Sequence, residues 1–198
     1  MRLLIIIIIT SLISIFTFSQ EVRLTERIDF ISGTNVFKVE HEFRYENFPY
    51  YDHLDVGYSK KLNNICINSN LQLINEGGVA EIRPHFSYDY RYSYFGVKPR
   101  IELRFKDNSP FCIRYRLKLY SDVPIKKNLS FYVAGEVFLN HNDLFIEHGN
   151  EEKIQFYTGI IFKTDDVDIL TYYSHELENL KITKHIIGVS IRFSYMKK

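Results

Sequence analysis

Tryptophan is absent from this 198-residue sequence, and there are only two cysteines, two methionines, five prolines and nine glycines. Two cysteines cannot make a disulfide scaffold, and no Cys/His cluster has metal-ligand spacing. So few prolines and glycines, beside 45% hydrophobic residues, exclude collagen-like and disordered chains. A dominant charge is lacking too. Twenty-five basic residues against 24 acidic ones leave a net charge of +1, with no electrostatic footprint for nucleic acid. Beyond Gln20 no stretch is apolar enough to cross a membrane as a helix. The length suits one domain.

The first segment reads as an address. Met1-Arg2 is a short basic start, and a mostly apolar run follows from Leu3 to about Phe16, with five consecutive isoleucines. Thr17-Phe18-Ser19 then offers a small-x-small site, the n-region, h-region and cleavage pattern of a secretory signal peptide. The expectation is a cleaved signal peptide over residues 1–19, leaving Gln20 as the mature terminus. A membrane anchor is the alternative, but a spanning helix wants about 20 apolar residues and this run is shorter. No cysteine follows the site, which argues against a lipoprotein anchor.

The remainder alternates apolar and polar. Phe37, Val39, Phe43 and Tyr45 fall on one face, with Lys38, Glu40, Glu42 and Arg44 on the other. In 95–105, Phe95, Val97, Ile101, Leu103 and Phe105 oppose Lys98, Arg100, Glu102 and Arg104; in 111–119, Phe111 to Leu119 oppose Arg114, Arg116 and Lys118. Ile187, Val189, Ile191, Phe193 and Tyr195 repeat the pattern near the C-terminus. Side chains on a strand alternate faces, so this is β structure.

A soluble sandwich or lipocalin-like barrel would turn the apolar face inward; a membrane barrel would turn it to lipid. Three features favour the membrane. The segments are about ten residues long, the length a tilted strand needs to cross a bilayer. Tyrosines gather near strand ends (Tyr45, Tyr50, Tyr51; Tyr90, Tyr92, Tyr94; Tyr172, Tyr173), as in interfacial aromatic girdles. Loop lengths also alternate. Strands are predicted near 35–45, 52–61, 64–74, 80–91, 95–106, 111–120, 129–139, 151–163, 166–174 and 183–195. Connections after the odd members of that series run longer than those after the even ones, Ser121–Asn128 excepted. Long outer loops alternating with short periplasmic turns, both termini periplasmic, is the plan of outer-membrane barrels. Residues 20–34 also look like strand, either an N-terminal extension or one more barrel strand. The expectation is a closed, antiparallel, up-and-down, all-β transmembrane barrel over 35–198 with about ten strands, twelve being possible. Pro84 and Pro99 fall inside predicted strands, where a missing N–H interrupts the ladder unless a bulge absorbs it.

Between Lys98 and Asn140 the chain reads PRIELRF, FCIRYRLKLY, a turn at Asp122-Val123-Pro124-Ile125, then YVAGEVFLN. It resembles the domain-of-unknown-function family 2490, exported β-barrel proteins common in Bacteroidetes-type bacteria. The likeness rests on the Arg/Glu ladder of 100–104, Arg114, Arg116 and Glu136, and Glu151-Glu152-Lys153 departs from the family's pattern. It implies a bacterial outer-membrane barrel and carries no activity with it.

With the apolar face toward lipid, the lumen receives the charges. The residues expected to matter there are Glu40, Glu42, Arg100, Glu102, Arg104, Arg114, Arg116 and Glu136, pairing across the ladder to fill a narrow interior. The alternatives are a small anion-preferring pore and a soluble periplasmic lipocalin-like binder. Enzymatic signatures are weak. His85-x-Ser87 lacks an evident acid to orient the histidine, and a rim hydrolase would need His141, Asp143, His148 or His175 to converge from long loops. No catalytic residue, cofactor or metal is assigned. The expected partners are outer-membrane lipid and the barrel-assembly machinery, with no nucleic acid. The sequon Asn128-Leu129-Ser130 has little meaning in an exported bacterial protein. Cys66 and Cys112 belong near opposite ends of the barrel, too far apart for a disulfide.

Overall fold

Period-two alternation becomes strand along the whole described chain. The computed structural model describes residues 21–46, 49–142, 152–178 and 181–196; the segment expected to be a signal peptide, with Asp143 and His148, lies outside them. In chain order the strands are β1 (Glu21–Ser32), β2 (Asn35–Tyr45), β3 (Pro49–Leu62), β4 (Ile65–Glu76), β5 (Val79–Tyr92), β6 (Phe95–Lys106), β7 (Cys112–Lys126), β8 (Leu129–Asn142), β9 (Glu152–Lys163), β10 (Val167–Glu178) and β11 (Lys181–Met196). They form one closed barrel in which each strand pairs with its chain neighbours and β1 closes on β11.

The fold is the closed all-β barrel expected, with eleven strands, between the ten and twelve considered. The odd number has a geometric consequence. Strands that run up and down alternately leave the first and eleventh pointing the same way, so the seam is parallel, from Glu21 opposite Ile186 to Ile31 opposite Met196. Residues 21–32 therefore form a wall strand, and the start of β1 and the end of β11 lie at opposite ends of the barrel, not both at one end.

All connections at one end, the turn end, span two or three residues: Gly33-Thr34, Asn63-Asn64, Ser93-Tyr94, Lys127-Asn128 and 164–166. Gly33, Asn63 and Ser93 adopt the positive φ that such tight hairpins demand. Connections at the other end, the loop end, run from two to nine residues. The anticipated exception at Ser121–Asn128 disappears, because β7 continues to Lys126 and a register shift between Pro124 and Lys126 absorbs the proline. His175, expected on a loop, is in β10 opposite His185. Pro84 and Pro99 interrupt the ladder without shifting it: pairing of β5 with β6 lapses around both and resumes with the register unchanged.

Burial is inverted relative to a water-soluble protein. Among the described residues 22 polar side chains are buried against eight apolar ones, while 36 large apolar residues are exposed. The outward faces carry Leu117 and Leu119 on β7, Ile82 and Phe86 on β5, and Phe156 and Ile160 on β9. A lipocalin-like interior would be apolar; here the apolar side chains point outward and the charged ones inward. At the turn end, Phe30 stacks on Tyr195 across the parallel seam and tilts against Phe37. Tyr90, Tyr92 and Tyr94 are exposed as a girdle requires, but Tyr51 is buried and, with Tyr172, lines the lumen.

Two lumenal tyrosines explain two glycines. The Tyr120 ring lies over Gly96, its partner on β6, and the Tyr172 ring lies over Gly188 on β11; a Cβ at either glycine would collide with the ring. A residue without a side chain lets the neighbouring ring lie flat against the wall, and Tyr120 then reaches Asp89 with a 2.7 Å hydrogen bond. Cys66 is the second residue of β4, at the turn end, Cys112 begins β7 at the loop end, and both are free thiols.

The parallel seam is testable. In a Cys66→Ser/Cys112→Ser background, Thr25→Cys with Ser190→Cys should cross-link on mild oxidation, because these positions are register partners. A ten-strand barrel with residues 21–32 outside the wall would leave both thiols free.

Candidate functional site

The lumen is built by the inward positions of the alternating strands, and all eight residues singled out in the sequence line it or lie just behind its surface. On β6 and β7 the inward positions from Lys98 to Arg104 and from Cys112 to Tyr120 carry six basic side chains and one acid, Glu102. The register sets Arg100 directly opposite Arg116 and Lys98 opposite Lys118, like-charge pairs that are unfavourable on their own. Glu102 compensates. It is fully buried, accepts a 2.6 Å bond from Arg116 Nη1 and a 3.3 Å bond from Arg100 Nη1, and has Arg83 and Arg114 each at 3.8 Å.

Flanking strands supply the rest of the negative charge. Glu136 on β8 takes both Nε and Nη2 of Arg116, at 2.9 and 2.7 Å, and accepts a hydrogen bond from the Tyr157 hydroxyl. Glu81 on β5 receives a two-pronged contact from Arg104, at 2.7 and 2.9 Å, and another from Arg83 at 2.8 Å. Arg114 donates its Nε to Asn140 at 2.6 Å. Phe138 offers its ring face to Arg116, with 4.5 Å from guanidinium carbon to ring centre, so the cations are also packed.

Glu40 and Glu42 do not join that cluster. They lie on β2, where Glu42 accepts a 2.6 Å bond from Arg44 and Glu40 stands 3.9 Å from each of Arg27, Lys38 and His53. Next to them is a centre absent from the expected set. Asp55, almost wholly buried, accepts bonds from Asn70 (2.8 Å), Gln72 (3.0 Å) and Lys38 (3.2 Å), and His85 Nε2 lies 3.1 Å away. The signal for Asp55 was available: His53, Asp55 and Ser59 alternate with Leu54, Val56 and Tyr58. Its partnership with His85 was not, because β4 separates their strands and only the curvature of the barrel brings the side chains together.

Asp55 thus supplies the acid that His85 lacked in the sequence, yet among the described residues Ser87 makes no side-chain hydrogen bond to that histidine. Donor atoms of Glu40, His53 and Asp55 lie within 4.8 Å of one another, close enough to hold a metal ion. The Lys38 ammonium already occupies the cationic place beside Asp55, whose two oxygens carry four partners, so this chemistry is that of an internal ion pair. The rim-hydrolase residues do not assemble among the described positions: His141 is on β8 and His175 on β10, with β9 between them. Instead His175 and Tyr173 gather on His185, at 3.2 and 2.7 Å, on the outward face near the loop end.

Open space remains in the lumen. A cavity of about 360 Å³ occupies the loop-end half, and basic side chains outnumber acidic ones along its wall by nine to four. A second, of about 330 Å³, lies toward the turn end and is lined by Lys98, Asp122 and Lys163 among others. Both are bounded by Glu40, Lys118, Tyr132, Leu170 and Ser190, which therefore form the neck between them.

No family model matches the chain, and no curated protein matches it. A solved chain described as "Unveiling the Mechanism Behind the in-meso Crystallization of Membrane Proteins" is similar in overall form, at 14% identity and a TM-score of 0.46, over 81% of this chain and 83% of its own.

The charge cluster makes a stability prediction. Glu102→Lys removes the carboxylate shared by four arginines and adds a fifth cation, and breaking a buried pair costs about 3–5 kcal/mol. The variant should lose its folded form at a clearly lower temperature than the wild type; an unchanged transition would mean the cluster does not brace the wall.

Proposed function

We propose that this chain is an integral outer-membrane β-barrel, exported by its N-terminal segment and inserted by the barrel-assembly machinery, with a structural or interaction role and no catalytic one. The observation that carries the reading is the inverted burial: aliphatic and aromatic residues cover the outer wall while the charged residues pair inside. A hydrocarbon surround accepts such a wall, and a closed barrel leaves no free sheet edge within it. The likeness of Lys98–Asn140 to family 2490 barrels points the same way. In this orientation the loop end faces outward, as short turns are periplasmic in such barrels, and β1 begins on the outer side.

The paired charges make the lumen a braced interior. A specific observation favours a second reading, a small anion-preferring pore: the two cavities meet at a neck with Glu40 on one wall and Lys118 on the other. Conductance in planar bilayers separates the two, since a braced lumen gives none and a pore gives steps with anion selectivity.

The membrane assignment is tested by comparing gel mobility of the detergent-extracted membrane fraction before and after boiling. A closed barrel should migrate differently until heated, because its backbone hydrogen bonds are all internal. Leu119, exposed on the outer face of β7, gives a second test. Leu119→Arg should cost about 2–4 kcal/mol of stability in lipid if this position sits near mid-membrane. A soluble protein with one mobility and an indifferent Leu119→Arg variant would refute the proposal.

A further inference from the structure

Five arginines line the loop-end cavity from β5, β6 and β7, and they are not equally occupied. Arg104 and Arg116 each commit a two-pronged face to a carboxylate. Arg83 spends its Nε on Glu81 and leaves its Nη1 3.8 Å from Glu102. Arg114 spends its Nε on Asn140, a neutral partner, and its Nη1 too stays 3.8 Å from Glu102, beyond hydrogen-bond reach. Arg100 makes a single long contact of 3.3 Å. Terminal nitrogens of three guanidinium groups are thus left for another acceptor.

Charge points the same way as geometry. Arg83, Arg100, Arg104, Arg114 and Arg116 meet three carboxylates, Glu81, Glu102 and Glu136, which leaves two positive charges in excess. Glu102 does not line the cavity; it stands behind its arginines, so an approaching anion meets guanidinium donors before it meets a carboxylate. One oxygen of this fully buried carboxylate, Oε2, has no hydrogen-bond partner, although Arg83 and Arg114 both flank it. The two arginines are therefore held near Glu102 without being bonded to that oxygen.

We propose that the loop-end cavity binds a doubly charged oxyanion of the phosphate class, free or as a small phosphomonoester, on the terminal nitrogens of Arg83, Arg100 and Arg114. A dianion balances the surplus of two among these five arginines, and guanidinium forks match the spacing of tetrahedral oxyanion edges in a way an ammonium does not. The cavity, about 360 Å³, has room for such a group and a short substituent. The inference rests on the barrel reading above, with the lumen as its polar interior.

The test is titration calorimetry of the full mature barrel in detergent micelles at low ionic strength, after its heat-dependent mobility shift has shown it folded. The probes are inorganic phosphate, glycerol phosphate and, as a singly charged control, chloride. Saturable binding of one phosphate per chain is expected, with chloride at least tenfold weaker. Arg114→Gln should weaken phosphate by about tenfold, the loss of roughly one charge-assisted contact. Arg114→Lys, which keeps the charge and loses the fork and is the gentler change for folding, should fall between. Arg91→Gln, at the turn end where Arg91 pairs with Asp122, should bind as the wild type does. Tighter glycerol phosphate would assign the site to a phosphomonoester, and tighter inorganic phosphate to the free ion. A folded barrel that binds neither, or Arg114→Gln and Arg114→Lys that both bind like the wild type, would overturn the inference while leaving the membrane barrel intact. Absence of the mobility shift would strike the barrel reading itself.

Discussion

Glu102 has no access to solvent and four arginines within 4 Å, and much of the wall depends on that convergence. Period-two alternation with an apolar outer face sends every inward position of β6 and β7 into a narrow lumen, where the register then sets like charges against each other. Transferring one charge into such a space without a partner is costly, whereas a shared, multiply bonded carboxylate keeps several cations in place. Glu81 and Glu136 extend the arrangement to β5 and β8. The interior is consequently stitched by ion pairs between strands rather than by apolar packing, and the apolar residues are left for the outside.

Closure imposes a second constraint. Eleven strands running alternately up and down leave β1 and β11 pointing the same way, so only parallel pairing can seal the wall. Parallel ladders are slightly weaker per residue than antiparallel ones. This seam has additional support: Phe30 stacks on Tyr195 outside, and Lys184 of β11 bonds Glu21 of β1 inside at 3.1 Å. The glycines at 96 and 188 answer a related demand, since a narrow barrel seats a large inward ring by pairing it with a neighbour that has no side chain.

Fold class and side-chain direction were legible because alternation is a local property. Strand β2 matches its predicted bounds of 35–45, and β6 matches 95–106. Strand ends were less legible where proline intervened: Pro124 suggested a loop, but a shift of register lets β7 pass through it. The count of strands depends on how the first and last meet, a long-range pairing that no local pattern encodes. The same limit hid the Asp55–His85 contact, which crosses a strand and exists only once the wall is curved. Within the charge network, Arg100, Glu102, Arg114, Arg116 and Glu136 share a face by spacing alone. Which carboxylate neutralises which arginine follows from register, and so does the separation of Glu40 and Glu42 into their own cluster.

Charge is therefore sorted around the lumen. Basic residues dominate β6 and β7, while on β2 and β3 Glu40, Glu42 and Asp55 are matched by Lys38 and Arg44, and Glu40 and Lys118 contribute to the neck between the two cavities. The surplus of guanidinium groups is confined to the loop-end half, where the wall remains positive even after Glu81 and Glu102 are counted with the lining acids. On the proposed reading an anion entering from that end meets these guanidinium groups first, and passage further would mean leaving them for a space shared with Glu40. The arginines that brace the wall through Glu102 are thus the same groups that the proposed anion site draws on, so bracing and binding would share one charge distribution.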